Sequence, residues 1–191
     1  LGGEAYNNLE SAGVDLWNTA QGSQRWTVLR CALYGHNCLL FDSMEQKVDA
    51  HAAIDSFDDG NPALRTAGSD LSSLYEGQVE YVYRTIALVG GKAGRVTDKI
   101  KTGDRPVTLR WNMCSAAASV HLDRSGADLV SADGQTLRLE VSGAENLTMK
   151  TWSSTPERTC ESLNSALILG YESLLEPCHE YEITVDLIPS I

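Results

Sequence analysis

The residues best suited to chemistry crowd into two neighbouring runs, Gln24-Arg25-Trp26-Thr27-Val28-Leu29-Arg30 and Tyr34-Gly35-His36-Asn37-Cys38. Guanidinium groups pair bidentately with carboxylates, and an imidazole moves protons near neutral pH or ligates a cation. Arg25 and Arg30 have opposite strand parity, so on an unbroken strand they face opposite sides of a sheet and do not form one patch. Gly35 permits a sharp bend before His36 that aims the imidazole away from the sheet, and the Asn37 side chain can fix that bend by bonding to backbone. Residue type alone leaves His36 open as a structural residue, a metal ligand or a catalytic group.

Elsewhere the same residue types have ordinary structural uses. Trp17, Trp26, Trp111 and Trp152 could stack on sugar rings, yet Trp26 and Trp111 sit within strand patterns, where core packing is expected. Arg25, Arg30 and Arg84 could grip a substrate carboxylate, but the internal acids Asp15, Asp42 and Asp98 are available to satisfy them. His51, His121 and His179 lack ligand-spaced neighbours and read as structural or solvent-facing. Asp55, Asp58 and Asp59 lack the ordered alternation of a calcium loop and read as a solvated turn. Cys31, Cys38, Cys114, Cys160 and Cys178 are odd in number, without the two-residue gap of a metal knuckle or redox pair. Buried free thiols are expected, with one or two bridges open in an oxidising compartment.

Strands must position these groups. A chain of 191 residues, 42% hydrophobic and 21% charged, can form one well-buried domain spanning 1–191. No apolar run approaches the roughly 20 residues of a membrane crossing. Fifteen Lys and Arg against 26 Asp and Glu give a net charge of −11, which argues against nucleic acid or an anionic membrane as a whole-surface partner. Apolar side chains recur at every second position from Val48 to Ile54, Val79 to Leu88, Val107 to Met113 and Leu137 to Val141. Val120 with Leu122, Leu147 to Trp152, Ala166 to Tyr171 and Tyr181 to Leu187 add further segments, and Asp133-Gly134 suits a hairpin turn. The pattern predicts an all-β, antiparallel two-layer β-sandwich of roughly nine or ten strands. Residues 7–24 and 56–77 read as two long irregular loops, of the kind that cover a site or a neighbouring domain.

The order and irregular spacing of one set of residues carry more. Glu4-Ala5-Tyr6, Leu9-Glu10-Ser11-Ala12-Gly13-Val14-Asp15-Leu16-Trp17-Asn18, Gln21, Ser23-Gln24-Arg25-Trp26 and His36-Asn37 resemble the heparinase II/III-like polysaccharide lyase family. The resemblance runs on through Gln46, Tyr75, Arg84, Asp98 and the carboxy-terminal strands. It implies a periplasmic or secreted lyase in which a helical toroid domain precedes β-sandwich domains. Such enzymes cleave uronic-acid-containing polysaccharides by β-elimination, which requires neutralising a carboxylate, removing the proton α to it and protonating the leaving oxygen. In the family, the catalytic tyrosine and most catalytic histidines lie upstream of the segment matched here. His36 matches a family ligand for a structural zinc whose partners, a His and an Asp, come earlier. The family usually has Thr where Cys38 stands. Arg25, Arg30, Tyr34 and Asn37 are the expected substrate contacts.

Two functions follow as expectations. The first is the β-sandwich portion of a polysaccharide lyase, inactive alone and metal-free for want of the other zinc ligands, packed against its own upstream domain and sharing its acidic polysaccharide. A start at Leu1-Gly2-Gly3, without Met, fits a piece of a longer chain. The second is a non-catalytic carbohydrate-binding or cell-surface sandwich module.

Overall fold

Alternation in sequence becomes alternation in burial. Along Val107–Ser115, Val107, Leu109, Trp111 and Met113 turn into the core, while Thr108 and Arg110 turn outward. The computed structural model describes residues 9–143, 146–156, 161 and 166–190. In chain order the strands among them are β1 (Leu39–Phe41), β2 (Ser56–Asp58), β3 (Leu64–Asp70), β4 (Tyr81–Val89), β5 (Ala93–Lys101), β6 (Val107–Ser115), β7 (Ser119–Leu122), β8 (Gly126–Val130), β9 (Thr136–Ser142), β10 (Thr148–Trp152), β11 (Leu167–Leu175) and β12 (Glu180–Pro189). They form two antiparallel sheets, one in the order β1-β6-β11-β10 and the other β2-β3-β4-β5-β12-β9-β8-β7. The sheets do not close into a barrel and make a sandwich, as the sequence pattern predicts. Among the described residues no helix is long and apolar enough to cross a membrane.

Between the sheets lie Phe41, Leu109, Trp111 and Tyr171 from the smaller and Val82, Ile100, Leu139 and Ile183 from the larger, with Tyr75 inserted edge-on against Phe41 at 5.0 Å. Trp111 and Tyr171 stack with centroids 6.0 Å apart. Close approach of β6 and β11 requires Gly170, because a Cβ there would stand 1.9 Å from the Trp111 carbonyl oxygen. One charged pair is sealed in as well. Arg84 of β4 and Asp98 of β5 are register partners and bond bidentately at 2.7 and 2.9 Å.

The four-stranded sheet covers only part of its larger partner. A single register row, Phe57–Ala67–Ile86–Val96–Val185–Val141, crosses six strands. Val185 is 1% exposed on that row, whereas Ile86 is 56% and Phe57 69% exposed.

Several expectations need correction. The alternating segment from Lys47 to Asp55 is not a strand: the Lys47 amide bonds the Leu74 carbonyl, a turn follows at Ala50, and the stretch lies on the surface. Residues 56–77, read as a loop, contain β2, β3 and a 3-10 turn at Ser72–Tyr75. The Gln24–Thr27 segment is a 3-10 turn, so the strand-parity argument for Arg25 and Arg30 does not apply. Asp55 is not simply solvated, since it accepts bonds from the Tyr83 hydroxyl at 2.6 Å and the Asp70 amide at 3.1 Å. Cys31, Cys38 and Cys114 are free and half-buried and Cys178 is free and exposed, while Cys160 lies outside the described residues.

Removing one member of a buried ion pair strands the other charge at a cost of about 3–5 kcal/mol, whereas an apolar pair of similar volume is often neutral. Asp98→Asn is therefore expected to lower urea-unfolding stability by about that amount, and Arg84→Met with Asp98→Leu to recover most of it. Equal losses in the single and double variants would show that the pair does not act as a unit.

Candidate functional site

Residues 24–38 contain two 3-10 turns, Gln24–Thr27 and Leu33–Gly35, the second of which lies against the outward face of β6. The second turn leaves its carbonyls pointing at the sheet, and β6 supplies the donors. The Arg110 guanidinium reaches the Tyr34 carbonyl at 3.4 Å, the Asn112 amide donates to the His36 carbonyl, and the Cys114 thiol donates to the Gly35 carbonyl at 2.8 Å. In return, the Asn37 side-chain oxygen accepts from the Cys114 amide at 2.7 Å. Gly35 is required by contact, because a Cβ would meet the Leu29 carbonyl oxygen at 2.4 Å.

This lock brings Tyr34, His36 and Asn37 together on one exposed corner. The His36 ring Nε2 lies 3.0 Å from the Arg30 carbonyl oxygen, which fixes the ring direction. Arg25 turns the other way: it donates to the Leu16 carbonyl at 2.6 Å and sits 5.3 Å from the centre of the Trp26 ring. It thereby ties the turn to a small second core of Leu9, Val14, Leu16 and Val28. Of the expected substrate contacts, the Arg25 and Asn37 side chains are bonded to the Leu16 carbonyl and the Cys114 amide, and Tyr34 gives its carbonyl to Arg110. Trp26 belongs to a turn rather than a strand, Trp111 is core, Trp17 is 73% exposed and Trp152 lies under the Arg110 guanidinium at 3.8 Å.

Beside His36 opens a cleft of about 400 Å³. Trp26, Leu33 and Leu74 give it apolar wall, while Glu45 and Lys47 bring charge. Lys47 escapes a reading by period because it opens the segment that alternates like a strand without being one, and Glu45 lies just before it. Cys38 also lines the cleft, and its thiol donates to the Leu33 carbonyl at 3.1 Å. Burial pushes that thiol up to about 12, so it stays protonated at neutral pH. Among the described residues no three His, Cys, Asp or Glu side chains stand together to hold a metal ion. They offer the implied zinc one imidazole, short of the roughly four donors it takes.

No family model matches the chain, and no curated protein matches it. Solved structures do share its fold. A heparinase III gene product superposes with a TM-score of 0.65 at 10% identity, over 82% of this chain and 24% of that one. Another heparinase III crystal structure gives 0.63 at 14% identity, again over 82% and 24%. The heparan sulfate lyase HepC of Pedobacter heparinus gives 0.63 at 11% identity, over 81% and 24%. The chain spans about a quarter of the length of these proteins, and at such identities the likeness is one of fold.

The Cys38 thiol has a direct test. Alkylation at pH 8 followed by mass spectrometry is expected to label exposed Cys178 and to leave Cys38 unmodified until the chain is unfolded. The unfolded thiol ionises near its ordinary 9.0 and the folded one only at about 12. The native state therefore holds the extra proton across that window, and stability falls as pH rises through it. Rapid native labelling of Cys38 would contradict both expectations.

Proposed function

We propose that this chain is the β-sandwich module of a polysaccharide lyase that cleaves uronic-acid-containing polysaccharide by β-elimination outside the cytoplasm, and that the module has no lyase activity alone. The observation that carries the reading is the superposition with heparinase III across 82% of the chain. The sequence resemblance, anchored on His36-Asn37 and the residues before it, points the same way.

The chemistry of the corner fits a supporting part. A β-elimination needs a base for the α proton, an acid for the leaving oxygen and a partner for the carboxylate. Beside His36 the imidazole Nε2 already faces a backbone carbonyl and the nearby thiol stays protonated. In this reading the base and acid come from an upstream domain of the same polypeptide, and the sandwich gives one wall of the cleft between them. Arg30 and Tyr34 belong to the substrate-facing corner. His36 gives one ligand to a structural zinc whose other donors lie outside the described residues.

Incubation of the purified chain with several uronate polysaccharides is expected to produce no rise in the ultraviolet absorbance of unsaturated uronate ends. Robust turnover would overturn the placement of the reactive groups. Equilibrium dialysis is expected to leave residues 1–191 without tightly held zinc. One-to-one retention lost in His36→Ala would instead place a full set of ligands within this chain.

A further inference from the structure

We propose that the uncovered inner face of β2, β3 and β4 is a docking surface for a second copy of this chain, related by a two-fold axis that runs along the strands between β2 and β3. The surface stands apart from the cleft beside His36 and needs no lyase chemistry.

Two register rows run from the core into solvent. Along Val141–Val185–Val96–Ile86–Ala67–Phe57, exposure climbs from 8% at Val141 and 1% at Val185 to 56% at Ile86 and 69% at Phe57. Along Ala127–Leu139–Leu187–Gly94–Leu88–Arg65, it climbs from 0% at Leu139 to 38% at Leu88. Residues directly opposite in a ladder share a face, so the apolar surface at Phe57, Ile86 and Leu88 is the core face continued past the edge of the smaller sheet. Contiguous exposed apolar surface marks an interaction site.

The smaller sheet cannot grow to cover it. Its nearest strand is β1, whose Phe41 meets Tyr75 from the turn that follows β3. On the free side of β1, the Leu39 carbonyl already accepts from the Tyr75 hydroxyl at 3.0 Å and the Phe41 carbonyl from the Met44 amide at 2.9 Å. An added strand would find those acceptors taken. The cover is therefore a separate layer laid on the face, as sheets stack about 10 Å apart.

Shape and charge both select the same face of a second copy. Phe57 projects from β2, and the small Ala67 beside it on β3 leaves a hollow between Phe57 and Ile86. The two-fold axis seats Phe57 of each copy in the Ala67 hollow of the other. It also brings Arg65 of each copy to Asp59 of the other, because Asp58 pairs with Thr66 and the next residues along are Asp59 and Arg65. Both are exposed, and among the described residues neither has an ion-pair partner. An isologous interface requires such a self-complementary set. The net charge of −11 on each chain opposes approach, but physiological salt confines that repulsion to about 8 Å.

Three strands about 4.8 Å apart, over roughly 20 Å of length, present about 300 Å² per copy. That is well below the roughly 800 Å² per partner of a standard interface, so the dimer belongs to the weak class, with a dissociation constant of about 10–100 μM.

The test is sedimentation equilibrium of residues 1–191 from about 5 to 500 μM at physiological salt. A reversible monomer–dimer equilibrium is expected. Phe57→Ser should weaken it about tenfold or more. Arg65→Asp and Asp59→Arg should each weaken it about threefold or more, and the two together should restore it. All three side chains are exposed, so melting curves of the variants should match that of the parent chain. Tyr81→Ala, on the outward face of β4, should leave association unchanged.

A chain still monomeric at about 500 μM, a dimer indifferent to Phe57→Ser, or charge reversals that do not rescue each other would each overturn the proposal. The first of these results would assign the face to another domain or another protein.

Discussion

The buried pair of Arg84 and Asp98 sets the frame on which the rest depends. Two charges removed from water are tolerable only if each finds the other with good geometry, and here the contact is bidentate across a register position of β4 and β5. A one-residue slip would turn every side chain of one strand to the opposite face. A two-residue slip would leave Asp98 facing Val82 or Ile86 with no counter-charge. The pair therefore selects one register in the middle of the larger sheet, and β12 follows by pairing Ile183 with Asp98. Across the sandwich, burial and then the Asp98 charge hold the Tyr171 hydroxyl well above its usual range, so the facing phenol stays neutral.

From that centre a short chain of contacts leads outward to the cleft. Tyr75, its hydroxyl also kept protonated chiefly by burial, donates to the Leu39 carbonyl at 3.0 Å and accepts from the Gln46 amide. Leu39 opens β1, directly after the His36 turn, and Gln46 belongs to the cleft wall. One buried phenol thus sets the spacing of both sides of the candidate site. The other restraint is the outward face of β6, where Arg110, Asn112 and Cys114 meet the carbonyls of residues 34–36. Buried carbonyls need donors, and a strand edge alone would not have offered them at this angle.

How much of this the sequence disclosed depends on whether the signal is local. The alternation in β4, β6, β9 and β12 is legible because inward positions there are mostly large and apolar. β5 is not, because its inward row reads Gly94, Val96, Asp98, Ile100, and an aspartate there makes sense only once Arg84 is opposite. β3, with Ala67, Gly68 and Ser69, shows little contrast between its faces. Lys47 to Ile54 shows the reverse failure: the period is present, but no strand ladder forms along it, and side chains hold the backbone instead, Gln21 at Gln46 and Val48, Ser73 at the His51 carbonyl and Ser69 at the Ala53 carbonyl. At the site, Gly35, His36 and Asn37 announce a bend, whereas the partners that fix it lie more than seventy residues on in β6. Lys47 lines the cleft from the start of that misread segment, and Glu45 from just before it.

A net charge of −11 says little about any one cleft until distance is considered. At physiological ionic strength the screening length is about 8 Å, so carboxylates on remote strands contribute little to the potential inside a cleft. Many of them are also engaged locally: Asp186 with Arg95, Asp42 with Arg105, Asp123 with Arg138 and Glu80 with Lys101. Within the cleft beside His36 the near field is set by Lys47 and Glu45, which are of opposite sign, with Arg25 on the Trp26 ring nearby. The net charge of the chain then acts mainly on approach, disfavouring solutes of dense negative charge most. Nearby side chains set the potential inside the cleft, and the summed surface charge sets the potential around it.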